Sequence, residues 1–293
     1  MNILIIKLGA TGDVVRTTTL LRRFQADEVT WITAKKNITM IQGLDKEIRC
    51  LPWEQREVAR DRDYDLLINL EDTVDVGTFA ATVRQSQTFG AYLGAGGMLE
   101  YTEDSQGWFD LSLISRFGDV RADELKLQNR RTYQDLIFSG LGLNFDGAQY
   151  LVPVAADTGL VGDIAISPVA GPVWPMKAWA FYTSLQSELE ARGFKVNVLP
   201  TRATLLEHLG DVQGHRCLIS GDSLPMHLAL GSGVKCVSIF TCTSPWEIYD
   251  YGIQVKMISP LLAEFFYKRN FDERATSAIS VEEVLAAVLR QLN

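Results

Sequence analysis

The order of apolar runs along the chain is the feature that most constrains its fold. Short apolar segments typical of buried strands alternate with segments of helical periodicity, in two series separated by an irregular stretch. Such alternation predicts parallel, doubly wound sheets. The candidate strands are Ile3–Lys7, Val29–Thr33, Ile48–Leu51 and Asp65–Leu70, then Ile164–Ser167, Lys195–Leu199, Cys217–Ser220 and Cys236–Phe240. Because 293 residues exceed the usual size of a single core, we expect two α/β domains.

The irregular stretch from Phe145 to Gly162 marks the connection between the two series. We therefore expect an N-terminal Rossmann-like domain of residues 1–155 and a second one of residues 156–279. Residues 280–293 form a last amphipathic helix, which we expect to return to the first domain.

Two smaller features qualify this outline. In the last helix, Ser280 and Glu283 have the spacing of a capping box. The region from Gly90 to Gly118 carries few regular signals, so we expect a long functional or mobile loop there.

Composition and charge argue against several classes of partner. The chain has 36 acidic and 28 basic residues, a net charge of −8, which disfavours nucleic acids and anionic membrane surfaces as partners. No apolar run approaches the roughly 20 residues of a membrane span, and no signal peptide is visible, so we expect a cytoplasmic protein without stable membrane insertion. Four cysteines without a C-x-x-C pair predict buried free thiols, and the spacing of the three histidines predicts no zinc site.

The loop after the first candidate strand contains two glycines and a carboxylate. The chain reads Lys7-Leu8-Gly9-Ala10-Thr11-Gly12-Asp13 and then becomes helical. Ligands of open α/β sheets bind at the carboxyl ends of strands, which places Asp13 where a ligand is expected. Alternatively, Asp13 caps the helix and the glycines only form the turn. The loop is neither a Walker A motif nor a G-x-G-x-x-G fingerprint.

A second loop predicts an anion site. Ser220-Gly221-Asp222-Ser223 ends a candidate strand, and a helix with His227 in its first turn begins at once. Unpaired N–H groups at such a helix start form a phosphate cradle, to which His227 adds a donor. The alternative is that Asp222 or Ser223 caps the helix and His227 packs.

Two further loops carry candidate ligands. Lys177 precedes a helical segment beginning at Ala178, where the helix dipole disfavours a cation; either an anionic ligand or simple solvation of a surface lysine accounts for it. Thr243 and Ser244 follow the next strand and either bind a sugar or phosphate or form a polar turn.

Taken in order, these motifs resemble those of the family 9 glycosyltransferases, the heptosyltransferases of GT-B fold. Lys7–Leu20 is similar to the opening motif of that family, and residues 222–229 resemble its Asp-Thr-Gly-Leu-Ser-His-Leu-Ala motif. Thr243-Ser244-Pro245 and Tyr251-Gly252 match later turns, and Lys177 falls where the family has its phosphate-binding lysine. The resemblance implies two Rossmann-like domains facing a central cleft.

The resemblance also implies an activity. It is an inverting transfer of a sugar such as heptose from a nucleotide diphosphate donor, often ADP-linked, to an acceptor hydroxyl. Because Lys177 and the helix start can carry the diphosphate charge, we expect this transfer to need no metal ion, and we expect no cofactor. Asp13 becomes the general base, and Lys7, Gly12 and Arg16 support its loop or the acceptor. The implied donor ligands are Lys177, Asp222, Ser223, Leu224, His227, Thr243 and Ser244. Arg131 lies roughly where the family has an acceptor-binding arginine, although a solvated helix face explains it equally well.

Several positions depart from the family pattern. Leu224 replaces a glycine, so the backbone approaches a phosphate less freely, and Thr241-Cys242 replaces Gly-Pro. Glu207 is the available candidate for a carboxylate near the nucleotide ribose. The acceptor is either a lipopolysaccharide core or a small soluble glycoside. The competing functions are another GT-B-like nucleotide-sugar enzyme, such as an epimerase, and a non-catalytic nucleotide-sugar-binding protein.

Overall fold

The structure, a computed structural model, describes residues 1–111, 116–169 and 171–292. The chain divides into two compact units, Met1–Pro153 and Val154–Asn293. Each unit has its own sheet, mainly parallel in the first unit and wholly parallel in the second, covered by helices, so the two α/β cores expected from the sequence are present.

The first unit is built on a sheet in the order β3-β2-β1-β4-β5-β6, in which only the last pairing is antiparallel. Its strands are β1 (Asn2–Ile6), β2 (Glu28–Thr33), β3 (Ile48–Pro52), β4 (Asp63–Asn69), β5 (Arg84–Leu93) and β6 (Leu99–Tyr101). The order reverses between β1 and β4. Ligands of doubly wound sheets bind at the carboxyl ends of strands at such a switch point.

Helices cover both faces of this sheet. They are α1 (Thr11–Thr17), α2 (Ile38–Gln42), α3 (Val74–Ala80), α4 (Gln106–Leu111), α5 (Asp119–Gln128) and α6 (Tyr133–Gly140), with 3-10 turns at Thr18–Arg22, Lys35–Asn37, Trp53–Asp61 and Glu103–Ser105. Alternate residues of a strand point to opposite faces. Ile3 and Ile5 therefore enter the core beneath α4 and α6, whereas Leu4 and Ile6 enter the core beneath α3.

The region from Gly90 to Gly118 is more regular than expected. It contains the end of β5, all of β6 and α4, and Trp108 and Phe109 of α4 are buried. The expectation of one long loop is therefore wrong for the described part, because these aromatic side chains anchor the segment in the core. Residues 112–115 lie outside the described residues.

The second unit has a fully parallel sheet in the order β11-β10-β9-β7-β8. Its elements are β7 (Gly162–Ser167), a 3-10 turn (Pro175–Lys177), α7 (Tyr182–Glu190), β8 (Val196–Val198), α8 (Leu205–Gln213), β9 (His215–Gly221), α9 (Leu224–Ser232), β10 (Lys235–Phe240), β11 (Gln254–Ile258), α10 (Leu262–Phe265), α11 (Glu273–Ser277) and α12 (Val281–Leu292). The order reverses between β7 and β9, which is the switch point of this unit.

The last helix belongs to the second unit. Its capping box is confirmed, because Glu283 Oε2 accepts from the Ser280 N–H at 2.8 Å and Ser280 Oγ accepts from the Glu283 N–H at 3.2 Å. Val284 and Val288 are fully buried in the core of the second sheet. We expected the helix to return to the first domain; its apolar stripe instead covers a face of the second sheet that would otherwise be exposed.

All four cysteines are buried and unpaired, as expected. Burial raises the pKa of the Cys50, Cys217 and Cys236 thiols to about 12. Among the described residues, no helix combines the length and apolar character that crossing a bilayer requires.

Candidate functional site

A carboxylate from the loop after β4 holds the loop after β1. Glu71 Oε1 accepts hydrogen bonds from Lys7 Nζ at 2.8 Å and from the backbone N–H groups of Leu8 at 2.7 Å and Gly9 at 2.8 Å. Burial acts to lower the pKa of Lys7, but the charges around it, Glu71 foremost, outweigh burial and raise it. A Cβ at Gly9 would lie 2.6 Å from Lys7 Nζ. A side chain at this position would displace the Lys7 ammonium group from its place beside Glu71.

Asp13 lies inside the first turn of α1 and does not cap it. The N-cap is Ala10, and no side-chain cap bond forms. The Asp13 carboxylate instead pairs with Arg16, at 3.0 Å between Oδ1 and Nη2, and keeps 16% of its side chain exposed. A first-turn carboxylate is favoured by the helix dipole. Gly12, buried in the same turn, is helical and not part of a loop. The capping alternative for Asp13 is wrong, and its carboxylate remains accessible at the switch point.

Tyr133, and not Arg131, contacts the helix that carries Asp13. Arg16 is buried, and its guanidinium carbon lies 3.7 Å from the centre of the Tyr133 ring. The side chain of Arg131 is 46% exposed and, from the bend that precedes α6, pairs with Asp135 of that helix at 2.6 Å. The described contacts do not bring Arg131 to Asp13. Because Arg131 precedes α6, the solvated helix face is the wrong explanation for it, and its contact with the acceptor stays a prediction.

In the second unit, three loops bring together a lysine, an aspartate and a threonine. Lys177 Nζ lies 2.9 Å from Asp222 Oδ2, and Thr243 Oγ1 donates to the same oxygen at 2.7 Å. The loops follow β7, β9 and β10, so the cluster lies at the switch point. Burial acts to raise the pKa of Asp222, but the attraction of Lys177 and the hydrogen bonds outweigh burial and hold that pKa at about 2.

Lys177 is positioned by its neighbours and not by a helix start. It ends the 3-10 turn, and α7 begins only at Tyr182, so the expectation of a helix beginning at Ala178 is wrong. A Cβ on Gly221 would lie 2.6 Å from the Lys177 carbonyl oxygen, and the Thr241 hydroxyl donates to the carbonyl of Met176. Gly221 and Thr241 thus seat the turn that carries the ammonium group.

The N-terminus of α9 has no side-chain cap. Ser223 is the N-cap residue, but its Oγ bonds the Gly221 carbonyl at 3.4 Å and no N–H of the helix. Leu224 opens the helix, and His227 is buried in its first turn, where its charge also acts to lower the pKa of Asp222. A lysine beside an uncapped helix N-terminus suits an anionic ligand.

Glu207 and Ser244 make no described contact with Lys177 or Asp222. Glu207 Oε2 accepts from the backbone N–H and the hydroxyl of Thr204, both at 2.9 Å, in a capping box of α8, so it serves helix capping and not a ribose. Ser244 is buried, and its Oγ has no hydrogen-bond partner among the described residues. The described part of the chain contains no cluster of three or more His, Cys, Asp or Glu placed to hold a metal ion.

Sequence reasoning missed Glu71 and Tyr133. Glu71 follows the fourth candidate strand, so knowing that β4 pairs with β1 would have placed it beside Lys7. Tyr133 is 116 residues from Thr17, whose hydroxyl lies 2.8 Å from the Tyr133 hydroxyl, and no local pattern signals that contact.

Comparison with known proteins gives a consistent fold. No protein-family model matches the sequence, and neither does any curated protein sequence. Among solved structures, the glycosyl transferase family 9 protein from Veillonella parvula DSM 2008 is 16% identical, with a TM-score of 0.69 over 99% of this chain and 97% of that one. The E. coli heptosyltransferase WaaC with ADP is 13% identical, with a TM-score of 0.67 over 99% and 100%.

A third structure agrees with these two. The E. coli ADP-heptose lps heptosyltransferase II is 15% identical, with a TM-score of 0.65 over 100% of this chain and 98% of that one. These likenesses extend over nearly the full length of each chain. At the level of the fold, the resemblance expected from the motifs is confirmed: the chain has the fold of the solved family 9 glycosyltransferases.

Proposed function

We propose that the chain is a family 9 glycosyltransferase that transfers a sugar from a nucleotide diphosphate donor to an acceptor hydroxyl, with inversion and without a metal ion. One observation carries this proposal: an accessible carboxylate, Asp13, lies at the switch point of the first unit, and a lysine beside an uncapped helix, Lys177, lies at that of the second. Base and anion site are the two groups that such a transfer needs.

The donor we propose is ADP-heptose. Supporting it, two of the similar solved structures, both of E. coli WaaC, carry ADP and ADP-2-deoxy-2-fluoro heptose. We further propose a GT-B architecture in which the first unit takes the acceptor and the second takes the donor, the two facing a central cleft.

In the proposed reaction, Asp13 accepts the proton of the acceptor hydroxyl. The acceptor oxygen forms a bond to the anomeric carbon of the donor, and the bond from that carbon to the diphosphate oxygen breaks on the opposite side. The diphosphate leaves with the electron pair, which inverts the anomeric centre. Lys177 and the N–H groups opening α9 stabilise the departing negative charge.

Asp222 has two tasks in this scheme. Its Oδ2 pairs with Lys177 and accepts a hydrogen bond from Thr243, and in this way it positions the Lys177 ammonium group. Its Oδ1 takes part in neither contact and is proposed to bind a hydroxyl of the donor sugar. Ser223, Leu224, His227 and Ser244 complete the proposed donor site.

The first test is donor binding and turnover by the purified protein. Thermal unfolding is measured with ADP-, UDP-, GDP- and dTDP-sugars; a ligand at about 100 times its Kd stabilises by roughly 2.7 kcal/mol. We expect a shift with ADP-heptose, release of ADP when an acceptor is added, and an inverted anomeric centre in the product by NMR. The acceptors include lipopolysaccharide core fragments and small soluble glycosides.

Matched variants make the test specific. Lys177→Ala is expected to weaken ADP binding and slow transfer. Lys235→Ala removes the same charge at the amino end of β10, where Nζ bonds the Gln291 carbonyl, and is expected to leave both unchanged. A rise in melting temperature with a UDP- or GDP-sugar but not with ADP-heptose contradicts the proposed donor. Loss of activity in EDTA, restored by Mg²⁺, contradicts the metal-independent reaction. Binding without turnover for any acceptor favours a binding protein.

A further inference from the structure

Arg16 is a buried charge with both an acidic and an aromatic partner. It is 3% exposed, and a charge removed from water is costly unless it is compensated. Its guanidinium meets the Asp13 carboxylate at 3.0 Å and the face of the Tyr133 ring at 3.7 Å. A cation on an aromatic face is stabilised electrostatically, more strongly when water is excluded. Tyr133 is fully buried, so its ring is a fixed support for the guanidinium.

A second connection runs from the same tyrosine to the backbone of Asp13. Thr17 Oγ1 lies 2.6 Å from the Asp13 carbonyl oxygen and 2.8 Å from the Tyr133 hydroxyl. A threonine hydroxyl has one hydrogen, which it donates to the carbonyl, so the Tyr133 hydroxyl must donate to Thr17. Burial raises the pKa of Tyr133, which keeps this proton on the tyrosine at neutral pH.

The helix that carries Asp13 needs such external support. α1 has seven residues and no side-chain N-cap bond, and so short a helix has little stability of its own. Tyr133 opens α6, whose own N-cap, Thr132, is satisfied by the Asp135 N–H. The capped helix α6 therefore supplies the contacts that hold the short, uncapped helix α1 in place.

We propose that Tyr133 is a positioning residue for the Asp13 carboxylate. The Tyr133 ring holds the Arg16 guanidinium against the Asp13 carboxylate. The Tyr133 hydroxyl holds the Thr17 hydroxyl against the backbone carbonyl of Asp13. The inference rests on the proposed function, because it assigns Tyr133 a part in placing the base.

The experiment measures release of ADP from ADP-heptose in the presence of an acceptor that the parent protein uses. Misplacing a reacting group by about 1 Å costs about 10²-fold in rate, so Tyr133→Leu is expected to lower kcat by about that factor. Tyr133→Phe keeps the ring and loses one hydrogen bond, with an expected loss of about 2- to 10-fold. The KM for ADP-heptose and the Kd for ADP are expected to stay within about twofold of the parent values, because the proposed donor ligands come from the other unit.

Phe138 provides the matched control. It is a fully buried aromatic residue on the same helix, and Arg23 lies over its ring at 5.7 Å, yet Arg23 pairs with Asp146 and not with a site residue. Phe138→Leu is expected to lower the melting temperature as Tyr133→Leu does while leaving kcat unchanged. A structural role alone would make the two variants alike.

The second readout is the combination with Asp13→Asn. If Tyr133 acts through Asp13, neither Tyr133 variant slows the residual reaction of Asp13→Asn by more than about twofold, since groups acting as a unit are non-additive. Full kcat in Tyr133→Leu, or an additive loss in the combined variant, overturns the inference. Should Tyr133→Leu fail to fold, the same comparison is made with Tyr133→Phe. If the parent protein releases no ADP with any acceptor, the proposed function itself is overturned. That outcome differs from failure of the inference, because Asp13→Asn then causes no change in ADP release.

Discussion

Replacing Asp222 by asparagine removes one negative charge from the second unit and almost preserves the side-chain shape. In the folded protein the pKa of Asp222 is about 2, against an ordinary value of 3.8, although burial alone would raise it. The difference of about two pH units corresponds to about 2–3 kcal/mol. We expect Asp222→Asn to lower the free energy of unfolding at neutral pH by that amount.

The pH dependence has a definite sign. A carboxyl group whose pKa is depressed by folding stabilises the folded state fully above its unfolded value and loses this contribution as the pH falls through the folded value. The contribution of Asp222 is therefore complete above about pH 4 and is lost between about pH 4 and pH 2. The variant lacks it throughout, so the difference between parent and variant is expected to close across that range.

Urea unfolding followed by circular dichroism at pH 7, 5, 3.5 and 2.5 measures this difference. The control is Glu188→Gln, which breaks a surface pair with Arg192 whose side chains are 50% and 42% exposed; exposed pairs of this kind contribute below about 1 kcal/mol. Equal stability of Asp222→Asn and the parent at pH 7, or a gap that does not narrow in acid, would refute the argued pairing with Lys177.

Three further substitutions test other contacts. Asp13→Asn is expected to leave ADP affinity nearly unchanged and to slow transfer by about 10²–10⁴-fold, measured as ADP release; near-normal transfer by the folded variant would rule out a base at this position. Gly221→Ala places a Cβ 2.6 Å from a backbone carbonyl and is expected to cost about 1–3 kcal/mol and weaken ADP binding, whereas Gly171→Ala, with no atom within 4 Å of the new Cβ, is expected to do neither. Glu71→Gln leaves Lys7 buried without its counter-charge and is expected to lower the free energy of unfolding by about 3–5 kcal/mol; adding Lys7→Met should recover part of that loss, and a purely additive double variant would argue against the pair.

The sequence predicted those elements in which a buried apolar run ends at a motif. β1 and β9 are such strands, and the loops after them carry Asp13 and Asp222. β5 and β11 were missed because β5 is mostly exposed over its first half and β11 is an edge strand of intermediate burial, so neither has a continuous apolar run.

The partners of the candidate residues were harder to predict than the residues themselves. Glu71 and Tyr133 reach the Asp13 loop across 62 and 116 residues of sequence, measured to Gly9 and Thr17, and only strand order and helix packing bring them there. Lys177 was predicted because a lysine directly before a helix is disfavoured by the helix dipole. That reason does not hold, because its 3-10 turn ends before α7 begins and packs against Gly221. Motif order predicted the candidate site, and tertiary contacts determine the geometry of its residues.

The hydrophobic core of the second unit, unlike its sheet, is completed only by α12. Both units are continuous in sequence, and the chain passes from one to the other once, after Pro153. On the ribosome, where domains generally fold as units from the N-terminus, the first sheet can therefore close while the second is still emerging. The core of the second unit must wait for α12, whose Val284 and Val288 fill it. Until α12 has emerged, the apolar face that it covers is open to solvent and to other chains, so this helix protects the second unit against aggregation.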